Sequence, residues 1–393
     1  MKNLIILNSH PIQYYTPLYK NLTDKLDINL EVWFCTDDGV KEYFDTDFKT
    51  TIKWDQPLIT GFKSIFLKNH SPFSKGVSLP LFGLVNFGII KKLYNAEKSI
   101  LWVDSWSQLS FIFFIIFGKI FGHKVCLRAE TPISHELLKN KTKLFFRKIY
   151  FFFFFKFIDY FLYIGEQNRR FYKYYKCKDS QLIFCPYSVN NEFFKNENYI
   201  LSMSDNQIKK IIGINKNHKI LLVSGKLIDK KRPLDILKVF KNIDNSNLTL
   251  IFLGSGPLLN EMNDYIYKHK IKNVYITGFI NQSEISKYYA ICDVFIMASG
   301  IGETWGLATN EIMNFNASLV ISNLTGCSID LINNGENGYI FKTGDLIEMK
   351  KAILSSLKLD KDSIIRTNHN KLSVFSYKTI VNNFSNHFNV NYQ

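Results

Sequence analysis

Glu303 and Glu311 sit in the stretch S-G-I-G-E-T-W-G-L-A-T-N-E, residues 299–311. The stretch follows the apolar run Val294 to Met297 and leads into Glu311-Ile312-Met313, which predicts a strand, a tight glycine turn and a helix in that order. A helix starting there offers first-turn amides without internal partners and the positive end of its dipole, a seat near Gly306 for phosphate or sugar hydroxyls. The two acids are too far apart to share one proton. A carboxylate accepts two hydrogen bonds from a vicinal diol, so the pair fits one long ligand with a hydroxylated ring at each end and a charged middle. A nucleotide sugar has that shape. A capped surface helix with a stray acid accounts for the spacing equally well.

The run I-L-L-V-S-G-K-L-I-D-K-K-R-P, residues 220–233, reads as a buried strand that ends at Gly225 and presents Lys226 and, after a turn, Lys231. Two such cations can neutralise a diphosphate, with Arg232 as a near neighbour; an exposed basic loop is the plainer alternative. No D-x-D pair stands at a strand edge, so a metal-held diphosphate is not indicated and no metal site is expected. Lys226, Lys231 and the amides near Gly306 can meet the charge of a leaving nucleoside diphosphate instead.

In the first half, three strands deliver polar groups to a carboxyl edge, where open α/β sheets place their ligands. Leu4 to Leu7 runs into His10, Gln13 and Tyr14; Ile100 to Val103 runs into Asp104; Val125 to Leu127 runs into Arg128 and Glu130. His10 also reads as a simple strand-end cap, and His135 as a helix-start residue.

These residues need two sheets to hold them. The β/α alternation and the 393-residue length predict an α/β protein of two domains. Residues 1–195 form the first domain, 196–376 the second, and 377–393 a closing helix. Six scattered cysteines with no C-x-x-C spacing point to a reducing compartment, without disulfides or zinc. The opening M-K-N-L-I-I-L-N-S-H-P has too short an apolar core for a signal peptide. No stretch reaches the roughly 18 to 20 uncharged apolar residues of a spanning helix.

The net charge of +15 is concentrated, since residues 139–178 hold 11 basic side chains against 2 acidic ones. Within that patch Lys139, Lys141, Lys143, Arg147 and Lys148 adjoin five consecutive phenylalanines, Phe151 to Phe155. A basic aromatic helix of this kind can lie on an anionic membrane surface through residues 139–157. The alternative is a domain helix with a core phenylalanine face and a solvated basic face. No nucleic-acid module accompanies the charge, so a nucleic-acid partner is not expected.

E-T-W-G-L-A-T-N-E resembles the E-x7-E motif of family-four retaining glycosyltransferases of the GT-B fold, usually E-x-x-G-L-x-x-x-E. T-G-C-S-I-D-L-I, N-G-E-N-G-Y-I-F, the G-[RK]-L-x-x-x-K pattern at Gly225 to Lys231 and the H-P-I-Q-Y-Y opening resemble bacterial surface-polysaccharide members of the same family. Asn316 and Ser318 depart from it, standing where Gly and Pro are usual; Asn tolerates the left-handed backbone that the turn needs. The resemblance implies two Rossmann-like domains with parallel sheets facing across a cleft and a C-terminal helix crossing back to the first domain. It implies Glu303 on the donor sugar, Glu311 on the ribose, Lys226 and Lys231 on the phosphates, Gly306 and Leu307 beside them, and Gly278 and Phe279 at the base. Glu303, Glu130 and Lys231 would serve catalysis, and His10, Gln13, Arg128 and Glu130 would line the acceptor side. The expected activity is metal-independent, retaining transfer of a hexose-type sugar from a UDP- or GDP-linked donor to a glycan or lipid-linked acceptor in surface-polysaccharide synthesis. No bound cofactor is expected, and the location is cytoplasmic, peripheral on the inner face of the membrane. A nucleotide-sugar epimerase of GT-B fold and a noncatalytic sugar- or nucleotide-binding subunit are the alternatives.

Overall fold

Ile220-Leu221-Leu222 and Val294 to Ile296 are fully buried along their whole length, the pattern of parallel strands covered by helices on both faces. The computed structural model describes residues 1–40, 42–45, 49–52, 54, 57–73, 81–196, 202–244 and 246–393. Among the described residues it holds two large sheets, each wholly parallel, and a two-stranded antiparallel hairpin of Tyr43–Asp45 and Thr50–Ile52. The first has seven strands in the order Lys63–Phe66, Ile28–Phe34, Lys2–Asn8, Ile100–Val103, Lys124–Leu127, Tyr160–Tyr163 and Leu182–Phe184. The second has six, in the order Val274–Ile276, Leu248–Leu253, Lys219–Ser224, Val294–Met297, Ser318–Ser322 and Gly338–Phe341. Each belongs to a Rossmann-like α/β unit.

By contacts the first unit comprises Met1–Glu42, Gln56–Tyr187 and Ser376–Gln393, and the second Tyr43–Asp55 and Ser188–Phe375. The division at Tyr187 and Ser188 falls a little before the 195/196 boundary read from the sequence. The reason is Phe194, which is buried against Tyr289 and Phe315 of the second unit. Helix Tyr377–Phe388 packs within the first unit: Phe384 stacks on Trp102 at 6.2 Å and Tyr377 Oη donates to the Tyr14 carbonyl at 3.0 Å.

Aromatic rings dominate the first core, where Trp106 stacks on Phe171 and Phe151 meets Phe155 and Tyr175. Aliphatic side chains of Leu221, Leu250, Val294, Ile296 and Val320 dominate the second. Asn316 adopts φ 58°, so the turn before Ser318–Ser322 keeps the left-handed shape usually given to glycine. All six cysteines are buried and unpaired. Among the described residues, no helix is long and apolar enough to cross a membrane.

Candidate active site

In the second sheet, Val274–Ile276, Leu248–Leu253, Lys219–Ser224 and Val294–Met297 stand side by side. Their carboxyl ends lead, in the same order, to Gly278-Phe279, Gly254, Lys226 and Glu303. Three inter-strand steps of about 4.8 Å make a ledge roughly 14 Å long. The sequence-predicted donor groups therefore fall along one edge in the order base, phosphate, sugar.

Glu303 is nearly buried, and its carboxylate lies 2.5 Å from Lys231 Nζ and 4.0 Å from Lys230 Nζ. Burial pushes its carboxyl up, but the two lysines outweigh that cost and hold it below the ordinary carboxylate range. The turn that carries it is fixed from behind. Gly326 N–H donates to the Glu303 carbonyl at 3.1 Å and Cys327 N–H to the Trp305 carbonyl at 3.1 Å. A Cβ on Gly326 would fall 1.8 Å from the Thr304 carbonyl oxygen, so only glycine permits this approach. Gly306 has φ +100° and sits against Met297 and Thr325, which turns the chain into the short helix Ala308–Met313 beside Leu307.

Glu311 is buried on that helix and accepts a hydrogen bond from Tyr289 Oη at 2.8 Å; Ser224 Oγ lies 3.4 Å from the same hydroxyl. The tyrosine comes from helix Gln282–Ala290 and fixes the carboxylate next to the end of strand Lys219–Ser224. Lys226 Nζ lies 3.2 Å from both carboxylate oxygens of Asp45, which belongs to the hairpin of Tyr43–Asp45 and Thr50–Ile52 that packs with this unit. Gly278 has φ +78° and open space around its α-carbon, and Phe279 meets Trp54 edge-on at 5.9 Å. Arg232 pairs with Asp235, at 2.7 and 2.6 Å.

The first unit gathers a different set. Arg128 is 2% exposed and lies between the rings of Tyr187 (4.6 Å), Tyr15 (5.4 Å) and Trp102 (5.9 Å), with Asp104 at 3.8 Å. The sequence reading has Arg128 on the acceptor side, and in the structure its guanidinium is enclosed by these groups. It is an internal strut, held by cation–π contacts and a buried carboxylate. Glu130 accepts from Tyr15 Oη at 2.6 Å, and Tyr15 in turn meets Tyr187 Oη at 2.5 Å. Burial pushes the Asp104 carboxyl up to about 6 against the pull of Arg128. His10 is half-buried with its Nδ1 on Ser9 Oγ at 2.9 Å, and burial lowers its pKa although Asp38 opposes this. Gln13 Oε1 is buried with no hydrogen-bond partner among the described residues. Arg128 and Glu130 thus come together around Tyr15, while no bond joins His10 to them.

Sequence reasoning missed Lys230, Asp45, Tyr289, Tyr15 and Tyr187. The adjacency of Lys230 to Lys231 was a signal for the first; the others meet the site from distant parts of the chain. A cavity of about 680 Å³ lined by Asn3, Glu31, Trp33, Lys92 and Glu97 lies at the amino end of the first sheet, away from every group above. Of its two acids, Glu31 is paired with Lys63 at 2.5 Å and Glu97 accepts from Asn3 Nδ2 at 2.9 Å.

The aromatic helix Lys141–Phe154 has two apolar faces. Phe151 and Phe154 point into the core, whereas Phe145, Phe146, Phe152 and Phe153 are 58–64% exposed and Ile149 lies on the same face. Lys156 Nζ sits over Phe152 at 4.6 Å. Arg147 is not a solvated surface charge: it pairs at 2.5 Å with Glu136, whose side chain is fully buried.

Residues 204–371 match the family described as "Glycosyl transferases group 1". An Escherichia coli UDP-Gal:alpha-D-GlcNAc-diphosphoundecaprenol alpha-1,3-galactosyltransferase is 25% identical over 184 residues, 45% of this chain and 44% of that protein. An Acholeplasma laidlawii alpha-monoglucosyldiacylglycerol synthase is 24% identical over 172 residues, 42% of each chain. The chain thus matches less than half the length of these curated relatives. The crystal structure of Anabaena HepE with UDP and glucose superposes with a TM-score of 0.69, at 13% identity, over 99% of this chain and 100% of that one.

Proposed function

We propose, from the match of residues 204–371 to the group 1 glycosyl transferases, that this chain is a retaining glycosyltransferase. It moves a sugar from a UDP- or GDP-linked donor to a glycan or lipid-linked acceptor in cell-surface polysaccharide synthesis. The observation that carries the reading is the Glu303–Lys231 ion pair at the sheet edge that also holds Lys226. Lys226 and Lys231 take the diphosphate, with Gly306 and Leu307 beside it, Glu303 holds the donor sugar and Glu311 the ribose, and Gly278 and Phe279 flank the base. The acceptor oxygen bonds to the anomeric carbon on the face from which the diphosphate departs. The carbon–oxygen bond to phosphate breaks, and a phosphate oxygen takes the acceptor proton. The lysines stabilise the growing charge without a metal ion. Glu130, His10 and Gln13 serve the acceptor side, with Arg128 positioning Glu130 through Tyr15.

A thermal-shift panel of UDP, GDP and their sugar conjugates, with and without magnesium, tests the donor site. One nucleotide series should raise the melting temperature by about 5–10 °C at a hundredfold excess over Kd, from about 2.7 kcal/mol of linkage. The shift should not depend on the metal and should vanish in Lys231→Ala. A shift that survives the substitution overturns the phosphate assignment.

We further propose that the chain works at the inner face of a membrane, with the exposed face of helix Lys141–Phe154 in the headgroup region of an anionic bilayer. Lys141, Lys143, Lys148 and Lys156 flank that face. Each exposed phenylalanine is worth about 1 kcal/mol on insertion. Phe152→Ser with Phe153→Ser should therefore weaken sedimentation with phosphatidylglycerol vesicles about tenfold or more, leaving the nucleotide thermal shift intact. Undiminished vesicle binding refutes this docking face.

A further inference from the structure

The donor reading puts a diphosphate on Lys226 and a base beside Phe279, and both positions already have an occupant from one short segment of this chain. Asp45 lies across Lys226 with both oxygens at 3.2 Å, and Trp54 meets Phe279 edge-on at 5.9 Å. The side chains of this ion pair are 29% exposed for Lys226 and 14% for Asp45, so the contact is partly shielded from water. A carboxylate with two oxygens on an ammonium presents the charge and geometry of a phosphate on the same group. The two contacts fall on neighbouring groups of one sheet edge, because Gly225 and Gly278 are each bonded to the intervening strand's end, at Leu253 and Gly254.

We propose that Asp45 is an internal stand-in for the donor phosphate: it holds Lys226 until a nucleotide displaces it, with Trp54 beside the base position as the reporter of that exchange. Lys226 is thereby oriented and its charge offset in the absence of donor. Nucleotide binding then trades one anion for another at Lys226, and the affinity is lower than the bare lysine would give. The device sets how much donor is needed to fill the site.

This inference rests on the donor site proposed above, and the experiment separates the two. UDP and GDP are titrated by calorimetry into wild type, Asp45→Ala, Asp45→Asn and Lys226→Ala, with circular dichroism to confirm that each variant is folded. Both Asp45 variants should bind the preferred nucleotide about tenfold more tightly at low salt, the scale of one partly shielded ion pair. The gap should narrow as salt rises. In wild type the nucleotide should change the Trp54 fluorescence, and Trp54→Phe should remove that change. Wild-type binding that is unaltered or weakened in the Asp45 variants overturns the stand-in while leaving the donor site in place. Binding of neither nucleotide by wild type or any variant overturns the donor site itself, and the stand-in with it.

Discussion

Glu303→Gln should lower turnover by about 10²–10³-fold, the scale on which one preorganised polar contact to a transition state is lost. The amide keeps the size of the side chain, so the turn held by the Gly326 and Cys327 amides should survive. What goes is the charge that pairs with Lys231 at 2.5 Å. Without it the reacting sugar loses a charged hydrogen-bond acceptor and keeps only the weaker amide oxygen. The nucleotide part should hardly notice. Lys226, Lys231 and Glu311 all remain, so the nucleotide-sugar Kd should change by no more than about threefold, well under 1.4 kcal/mol. Nucleoside diphosphate release, followed with a coupled enzyme, gives the rate, and calorimetry gives Kd. A rate within tenfold of wild type would remove Glu303 from the chemistry.

Glu136→Ala should cost about 3 kcal/mol of stability in the first unit. Its carboxylate is fully buried and accepts from Arg147, Lys139 and Tyr175 at 2.5–3.0 Å. Breaking a buried pair costs about 3–5 kcal/mol. The lower end applies because Arg147 and Lys139 each keep 25% of their side chains exposed and can turn to water. For a unit of this size that is a fall of about 6–12 °C in its melting temperature. The pH dependence has a definite sign. Burial raises the Glu136 pKa, but Arg147, Lys139 and Tyr175 bring it below its ordinary 4.5. Its contribution is therefore complete above 4.5 and is lost as pH falls through the depressed value. Melting of the variant and wild type at pH 7 and at pH 3 measures both: the gap should shrink in acid. An equal gap at the two pH values would mean that packing, not charge, accounts for the loss.

The sheet edge that carries Gly278, Lys226 and Glu303 was legible in the sequence because each of these residues sits within a few positions of a strand end. Continuous apolar runs located the strands, and Gly225, Gly278 and Gly306 marked where each turned; Glu303, Lys226 and Lys231 followed from those. The two parallel sheets were legible for the same reason. Asp45, Tyr289 and Tyr15 were not, since no local spacing links residue 45 to 226, 289 to 311 or 15 to 130. Arg128 shows the opposite failure. A basic residue at a strand's carboxyl edge reads as ligand-facing, and only the three rings around it and Asp104 reveal an internal post. The phenylalanine run contained both of its readings at once. Its helix turns Phe151 and Phe154 inward and Phe152 and Phe153 outward, a division that composition alone does not draw.

The first unit is discontinuous, closed by Ser376–Gln393 after the whole of the second. During synthesis, which runs at about 5–20 residues per second, the chain must make Ser188–Phe375 before the piece that covers Trp102 and Tyr14 exists. The second unit can complete its own sheet in that interval. The first waits with an aromatic surface open, so the half that begins first finishes last, and its exposure to aggregation or chaperones lasts as long as translation of the rest.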